Sequence, residues 1–379
     1  MITKPLVLNE DFNRFRNQME GIADDIHTIA LKASPDFPLN TWAEFRTAIQ
    51  HGYGERLYPV GTDIKIGTDP TFTVVGHNIN KNPNDEEAFT VTLLAKDRLL
   101  ELQFDSPEAM MYCEDGLAAG TYWFTTTTYG GWAAGNYKFT LANPVPAGGQ
   151  IGINGNQTTA ITSLSVQTFA SQMSTAVIET SAISSGNSGT YIGKWESELN
   201  HPQRISYGSN NYGESAMRQL LNTAALKGTY WTPQTKFDRP PSWMNNQDGF
   251  LKNMSEDFIN AVGAVDVACR NCETYEAPDT LYGGKNTRYT LRDKIWLPSM
   301  VEINFANESI GEATSCFPFY IGCEDADRIK RTGTSAGYWW LRSPSPWYAN
   351  CVRVVSPAGT LDYYGASDTF GVVPACTIY

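Results

Sequence analysis

Residues 337–379 read GYWWLRSPSPWYANCVRVVSPAGTLDYYGASDTFGVVPACTIY, and two kinds of sequence alternate in them. Residues 338–341, 352–355 and 371–378 are short runs of β-branched, aromatic and apolar side chains, a composition that suits a pleated, half-buried surface. Between them, 343–346, 356–359 and 365–368 are built from Gly, Pro, Ser, Ala and Asp, whose backbone preferences favour turns. The stretch is expected to be strands joined by loops, on which the rest of the chain is organised.

The residues in and beside those loops are Tyr, Trp, Ser, Asn and Asp, close to the vocabulary of a paratope. Large rigid aromatics give contact area for little entropy, and small polar side chains give adaptable hydrogen bonds. Four such aromatics, half exposed and adjacent, would make a patch of ~300–500 Å², which a monomer rarely displays without using it. Ser345, Trp347, Tyr348, Asn350, Cys351, Ser356, Asp362, Tyr363, Tyr364, Ser367, Asp368 and Phe370 are the candidate ligand-binding residues. The competing reading turns the same aromatics inward as core, where Tyr and Trp are often largely buried.

Trp339-Trp340-Leu341-Arg342-Ser343-Pro344, Val352-Arg353-Val354-Val355, the turn at Gly359 and Gly371-Val372-Val373-Pro374-Ala375-Cys376 together resemble the variable proteins of diversity-generating retroelements of phage and prophage. The resemblance takes in residues 207–216 and 231–241 and covers the C-terminal half. It implies a C-type-lectin-like domain whose fixed strands display residues rewritten by adenine-directed mutagenesis. All the candidates except Trp347 have codons reachable from an adenine-adenine-pyrimidine template. It further implies a non-enzymatic adsorption protein of a virion tail or cell surface, whose partner is a host-surface protein or glycan, together with other virion proteins.

Composition agrees with a displayed binding protein. The chain has 379 residues, 41% of them hydrophobic and 18% charged, a folded rather than disordered balance with room for two or three domains. Forty acidic against 28 basic residues give a formal charge of −12, with no basic cluster to offset it, so nucleic acid is not an expected partner. No run approaches the ~18 apolar residues of a membrane span, and residues 1–10 do not form a signal peptide. Synthesis in the cytoplasm and display after release, for a virion by host lysis, is the expectation. Seven cysteines, an odd number, suit free buried thiols in a reducing compartment. A four-thiolate zinc site from Cys269, Cys272, Cys316 and Cys323 is the less favoured alternative, because the second pair is too widely spaced for a knuckle. No cofactor is expected, and calcium is left open.

The expected architecture is α+β: a helical segment over 1–52, a β-rich module over 53–186 and a C-type-lectin-like ligand-binding domain over 187–379. Leu8, Phe12, Phe15, Met19, Ile22, Ile26 and Ile29 follow a heptad rhythm. Either a homotrimeric coiled coil or a helix docked on its own body satisfies it. Thr41 to Glu44 is a capping box that opens a second helix, with Trp42, Phe45 and Ile49 on one face and Gly52 as its stop. Residues 57–60, 64–66, 72–75, 89–95, 99–104, 122–127, 137–141 and 151–153 are expected strands of a sandwich or barrel-like module. Helices are expected over 214–221, and over 255–262 behind Ser255 as N-cap.

The enzyme motifs each lack a part. Gly333-Thr334-Ser335-Ala336-Gly337 matches a nucleophile elbow, but no histidine follows it and a strand, not a helix, comes next. Asp325 and Asp327 supply carboxylates for a glycan-cleaving alternative. A structural virion or surface module with one fixed partner is the remaining alternative.

Overall fold

The computed structural model describes residues 40–379 except 107–109, 127–134, 142, 157–159, 169–170, 184–188, 196–202, 205–209, 235–237, 239, 274–281, 285, 307, 309–310 and 313. The heptad of residues 8–29, and the trimer with it, lies outside the described residues. The chain is a mixed, strand-rich fold of several sheets with short helices between them.

The first described helix, α1 (Trp42–Gln50), starts as its sequence predicts: Thr41 Oγ1 accepts the Glu44 N–H at 3.1 Å and so satisfies one of the orphan donors of the first turn. Trp42, Phe45 and Ile49 form its buried face, and Gly52, at φ +76°, takes the left-handed backbone that ends it. Leu57 does not begin a strand. Residues 54–57 make one helical turn, α2 (Gly54–Leu57), and Thr62 N–H closes a turn on the carbonyl of Pro59, which has no N–H to give a ladder.

Four strands follow, β1 (Asp63–Ile64), β2 (Phe72–His77), β3 (Val91–Ala95) and β4 (Leu100–Gln103). The chain then builds a separate sheet from β5 (Met110–Cys113), β6 (Gly120–Thr126), β7 (Gly135–Leu141), β8 (Gly149–Asn156), β9 (Ala160–Thr168), β10 (Ser171–Ile183), β11 (Thr190–Trp195) and β12 (Gln203–Arg204). Their order is β11-β6-β7-β10-β9-β8-β5-β12, and the long β10 joins two groups of strands, pairing β9 between Ser171 and Glu179 and β7 from Thr180 to Ile183. Phe124, Phe139 and Ile151 are buried in it.

The remaining helices and strands complete the sheets begun before that insertion. Helix α4 (Glu256–Ala261) is capped by the Oγ of Ser255, as its sequence predicts, whereas α3 (Ala216–Leu221) begins two residues later than the expected 214, because Ser215 Oγ caps it instead of lying within it. Then come β13 (Val262–Gly263), β14 (Val265–Arg270), β15 (Arg288–Asp293), β16 (Ile295–Trp296), β17 (Arg331–Thr332), β18 (Ser335–Ala336), β19 (Trp339–Pro344), β20 (Cys351–Val355), β21 (Leu361–Gly365), β22 (Thr369–Val372) and β23 (Ala375–Ile378). One sheet runs β1-β2-β3-β23-β13, with β16 also on β23; another runs β21-β20-β19-β22-β4; β14 pairs β15, and β17 pairs β18.

This pairing cuts across the boundaries expected at 52/53 and 186/187. Strand β3 is hydrogen-bonded to β23, from Val91↔Ile378 to Leu94↔Ala375, and β4 to β22. Residues 40–106 therefore share a hydrophobic core with the C-terminal part, in which Trp42, Phe72, Leu93, Trp296, Trp340 and Ile378 are all buried. Asp69 ties the two together, accepting from Trp42 Nε1 at 2.8 Å and from Ser255 Oγ at 2.5 Å. The expected terminal strand over 371–378 is two strands, because at Val373-Pro374 the chain leaves one sheet for the other.

Candidate ligand-binding face

The site is built on β20 and β21. The hydrogen bonds Ser356 N–H to Thr360 O and Ala366 N–H to Asn350 O bracket their antiparallel register. Alternation from those bonds turns the main-chain groups of Leu361, Tyr363 and Gly365 toward the open edge of the sheet. Side chains alternate between faces, so Tyr363, opposite Arg353, and Tyr364, opposite Val352, lie on different sides.

On Arg353's side, Trp347 and Tyr363 each present a ring to the Arg353 guanidinium, at 5.2 and 5.4 Å from the ring centroids, within cation–π range. Tyr348 stacks on Tyr363 at 5.6 Å and 26°. These three rings are the exposed ones, at 56% for Trp347, 44% for Tyr348 and 37% for Tyr363. Together they offer on the order of 300 Å² of aromatic surface. Arg353 itself is buried and is held by Glu308, its Nε donating to Oε2 at 2.9 Å. Glu308 also lies 3.8 Å from Arg270, which donates to Pro344 O at 3.2 Å and pairs with Glu273 at 3.3 Å.

The loop that carries Trp347 and Tyr348 is fixed at its base. Asn210 Nδ2 donates to the carbonyls of Tyr348 and Cys351, both at 2.9 Å, its N–H reaches Ala349 O, and Ser345 N–H donates to Cys351 O. Below the sheet, the buried Arg342 forms a bidentate pair with the buried Glu302 and donates to the carbonyls of Leu297 and Ala268.

The other candidates go elsewhere. Tyr364 and Phe370 pack with Tyr338 and Trp340 on the opposite side, ring centroids about 5.0 Å apart, and Tyr364 Oη donates to Tyr338 Oη. That bond and the neighbouring phenol push the Tyr364 proton up to about 12. Ser345 and Ser356 are buried, not displayed; Ser356 Oγ takes the N–H of Ala358 and Thr360 and so shapes the turn at Gly359. Asp362 Oδ1 accepts Tyr363 N–H, and Asp368 takes the Gly365 N–H while its own N–H donates to Gly365 O. Burial raises the Asp368 carboxyl above its ordinary value. Asn350, Cys351 and Ser367 are half-buried, with the carbonyls of Asn350 and Ser367 held by Ala366 and Gln103. The sequence reading missed Arg353, Glu308, Arg270 and Asn210, of which Arg353 alone carried a signal, a lone cation in an apolar strand.

The residues considered for other chemistry are engaged. The Gly-x-Ser-x-Gly match spans the β17–β18 hairpin, a turn between strands. Asp327 Oδ2 caps the Glu324 N–H, and Asp325 pairs with Arg328. All seven cysteines are free thiols, and among the described residues no three His, Cys, Asp or Glu are grouped to hold a metal ion.

Residues 173–379, more than half of the chain, match the family model described as a domain of unknown function, DUF6273. The chain belongs to that family. No curated protein and no solved structure matches it. Every residue of the aromatic face, and Arg353 and Glu308 with it, lies inside the DUF6273 segment, whereas α1 and β1–β4, which complete its sheets, lie before it.

Proposed function

We propose that this DUF6273 protein is a non-enzymatic ligand-binding protein whose C-terminal part is a C-type-lectin-like scaffold, and that it works by adsorption to a macromolecule on a cell surface. One observation carries the reading: Trp347, Tyr348 and Tyr363, from a loop and an edge strand, converge as exposed rings around one buried arginine. Trp, Tyr and Arg are the residues that dominate binding energy at interfaces. The scaffold beneath is rigid, with Trp339, Trp340, Val352 and Val354 fully buried, and so loses little entropy on binding.

The resemblance to retroelement variable proteins extends this to a phage or prophage tail protein that displays a rewritten surface to a host protein or glycan. The test is a survey of the gene across a natural population. Substitutions gathered at Trp347, Tyr348 and Tyr363, with Arg353, Trp340 and Arg342 constant, are the expected result. A segment 343–370 as constant as the strands around it would overturn the variable reading. The glycan-cleaving alternative draws no support from Asp325 and Asp327, which are spent on a helix cap and an ion pair.

A further inference from the structure

The charges beneath the aromatic face are sorted by depth. Arg353 and Arg270 have side chains 5% and 0% exposed, while the carboxylates paired with them, Glu308 and Glu273, are 21% and 24% exposed. The two cations are thus turned inward and neutralised, and of these four charged groups the more exposed are the carboxylates. The rings add the negative side of their quadrupoles, and the chain as a whole carries −12. An anionic partner finds neither of these two cations free, since Glu308 holds Arg353 and Arg270 lies inside.

From this we infer that the occupant of the Trp347–Tyr348–Tyr363 face is a protein surface that presents arginine or lysine side chains, which stack on the outer faces of these rings. This rests on the proposed binding function and names the chemistry of its partner. The guanidinium of Arg353 already shows the geometry from the inside of Trp347 and Tyr363, and a partner cation repeats it from the outside, where Glu308 has cancelled Arg353's charge.

The experiment uses the full chain and three defined probes: a synthetic peptide of alternating arginine and glycine, its glutamate counterpart, and a neutral glucose oligosaccharide. Binding is read by fluorescence anisotropy for the peptides and calorimetry for the sugar, at low and at physiological salt, with Trp347→Ala and Tyr363→Ala alongside. The arginine peptide is expected to bind at least roughly tenfold more tightly than the glutamate one, and each alanine variant to lose about five- to tenfold at unchanged net charge. Equal binding to the wild type and both variants would assign the attraction to net charge alone and overturn the inference, as would no binding of the arginine peptide. Ring-dependent binding of the oligosaccharide alone would overturn it too while leaving the aromatic face as the binding site. Failure of every probe also overturns the inference, and the face then stands or falls on the population survey.

Discussion

Trp347 and Tyr364 look alike in the sequence and part company in the structure. Trp347→Ala is expected to cost ~2 kcal/mol of ligand binding with the melting temperature unchanged, because its ring leans on Arg353 and otherwise faces solvent. Tyr364→Ala is expected to lower stability by about 1–2 kcal/mol, since it opens the Tyr338–Phe370 cluster. Thermal melts of both variants, read beside binding, check the pair. Arg342→Met breaks a buried ion pair and leaves Glu302 without its main cation, an expected loss of about 3–5 kcal/mol that Glu302→Leu in the same chain restores only in part, because Ser299 N–H and the carbonyls of Leu297 and Ala268 then lose their partners. Urea unfolding of the single and double variants reads it. At this scale the sequence conveyed residue type but not facing: Trp347, Tyr348 and Tyr363 were legible as a binding vocabulary, whereas Ser345 is buried and Ser356 and Asp362 use the same letters to hold turns and main chain. Glu308 was illegible because it reaches Arg353 from a distant segment.

Strand β21 forms an edge of its sheet, and an edge exposes main-chain groups to any other strand. The Asp362 and Asp368 carboxylates occupy two of those groups, the N–H of Tyr363 and of Gly365, while the Gly365 C=O is held by the Asp368 main chain. The double variant Asp362→Ala, Asp368→Ala is therefore expected to self-associate with rising concentration while the wild type does not. Light scattering across a dilution series tests this, and an unchanged mass would show that the two aspartates do not guard the edge. The elements with strong local signals were readable in sequence: the caps at Thr41 and Ser255 stand where expected. Strand β21 was not readable, because Asp362 and Gly365 gave its stretch the composition of a loop, and only pairing with β20 makes it a strand. Nor was the union of β3 with β23, since nothing local in Val91–Ala95 names a partner so far along the chain.

Across the molecule, buried thiols set the response to alkali. Burial pushes the Cys113 and Cys269 thiols up to about 12 and Cys376 up as well, while it pushes Lys330 down to about 8. Above the ordinary thiol range the unfolded chain releases protons that the folded chain keeps. Stability is fully present below that range and falls as pH rises through it. Lys330 works in the opposite sense, because from about 8 to its ordinary value the unfolded chain holds a proton that the folded chain has lost. Cys316 and the buried tyrosines are raised as well, and Lys294 is lowered beside Lys330, so the raised groups outnumber the two lysines and urea midpoints are expected to drop between pH 9 and pH 10.5. A flat profile would contradict the burial of these thiols.

The placement of β23 has a consequence for synthesis. Residues 375–378 fill the slot between β3 and β13 and bond to β16 as well, so a sheet begun near residue 63 waits until more than 300 further residues have left the ribosome. A copy shortened by a nonsense codon or a frameshift within 343–370 lacks β23 and most or all of β22, and cannot close either sheet. In a gene whose binding segment is rewritten, such a layout would act as proofreading at the level of the polypeptide: a truncated product cannot close its sheets and is exposed to proteases, and the copies that fold are those read through to the end of β23.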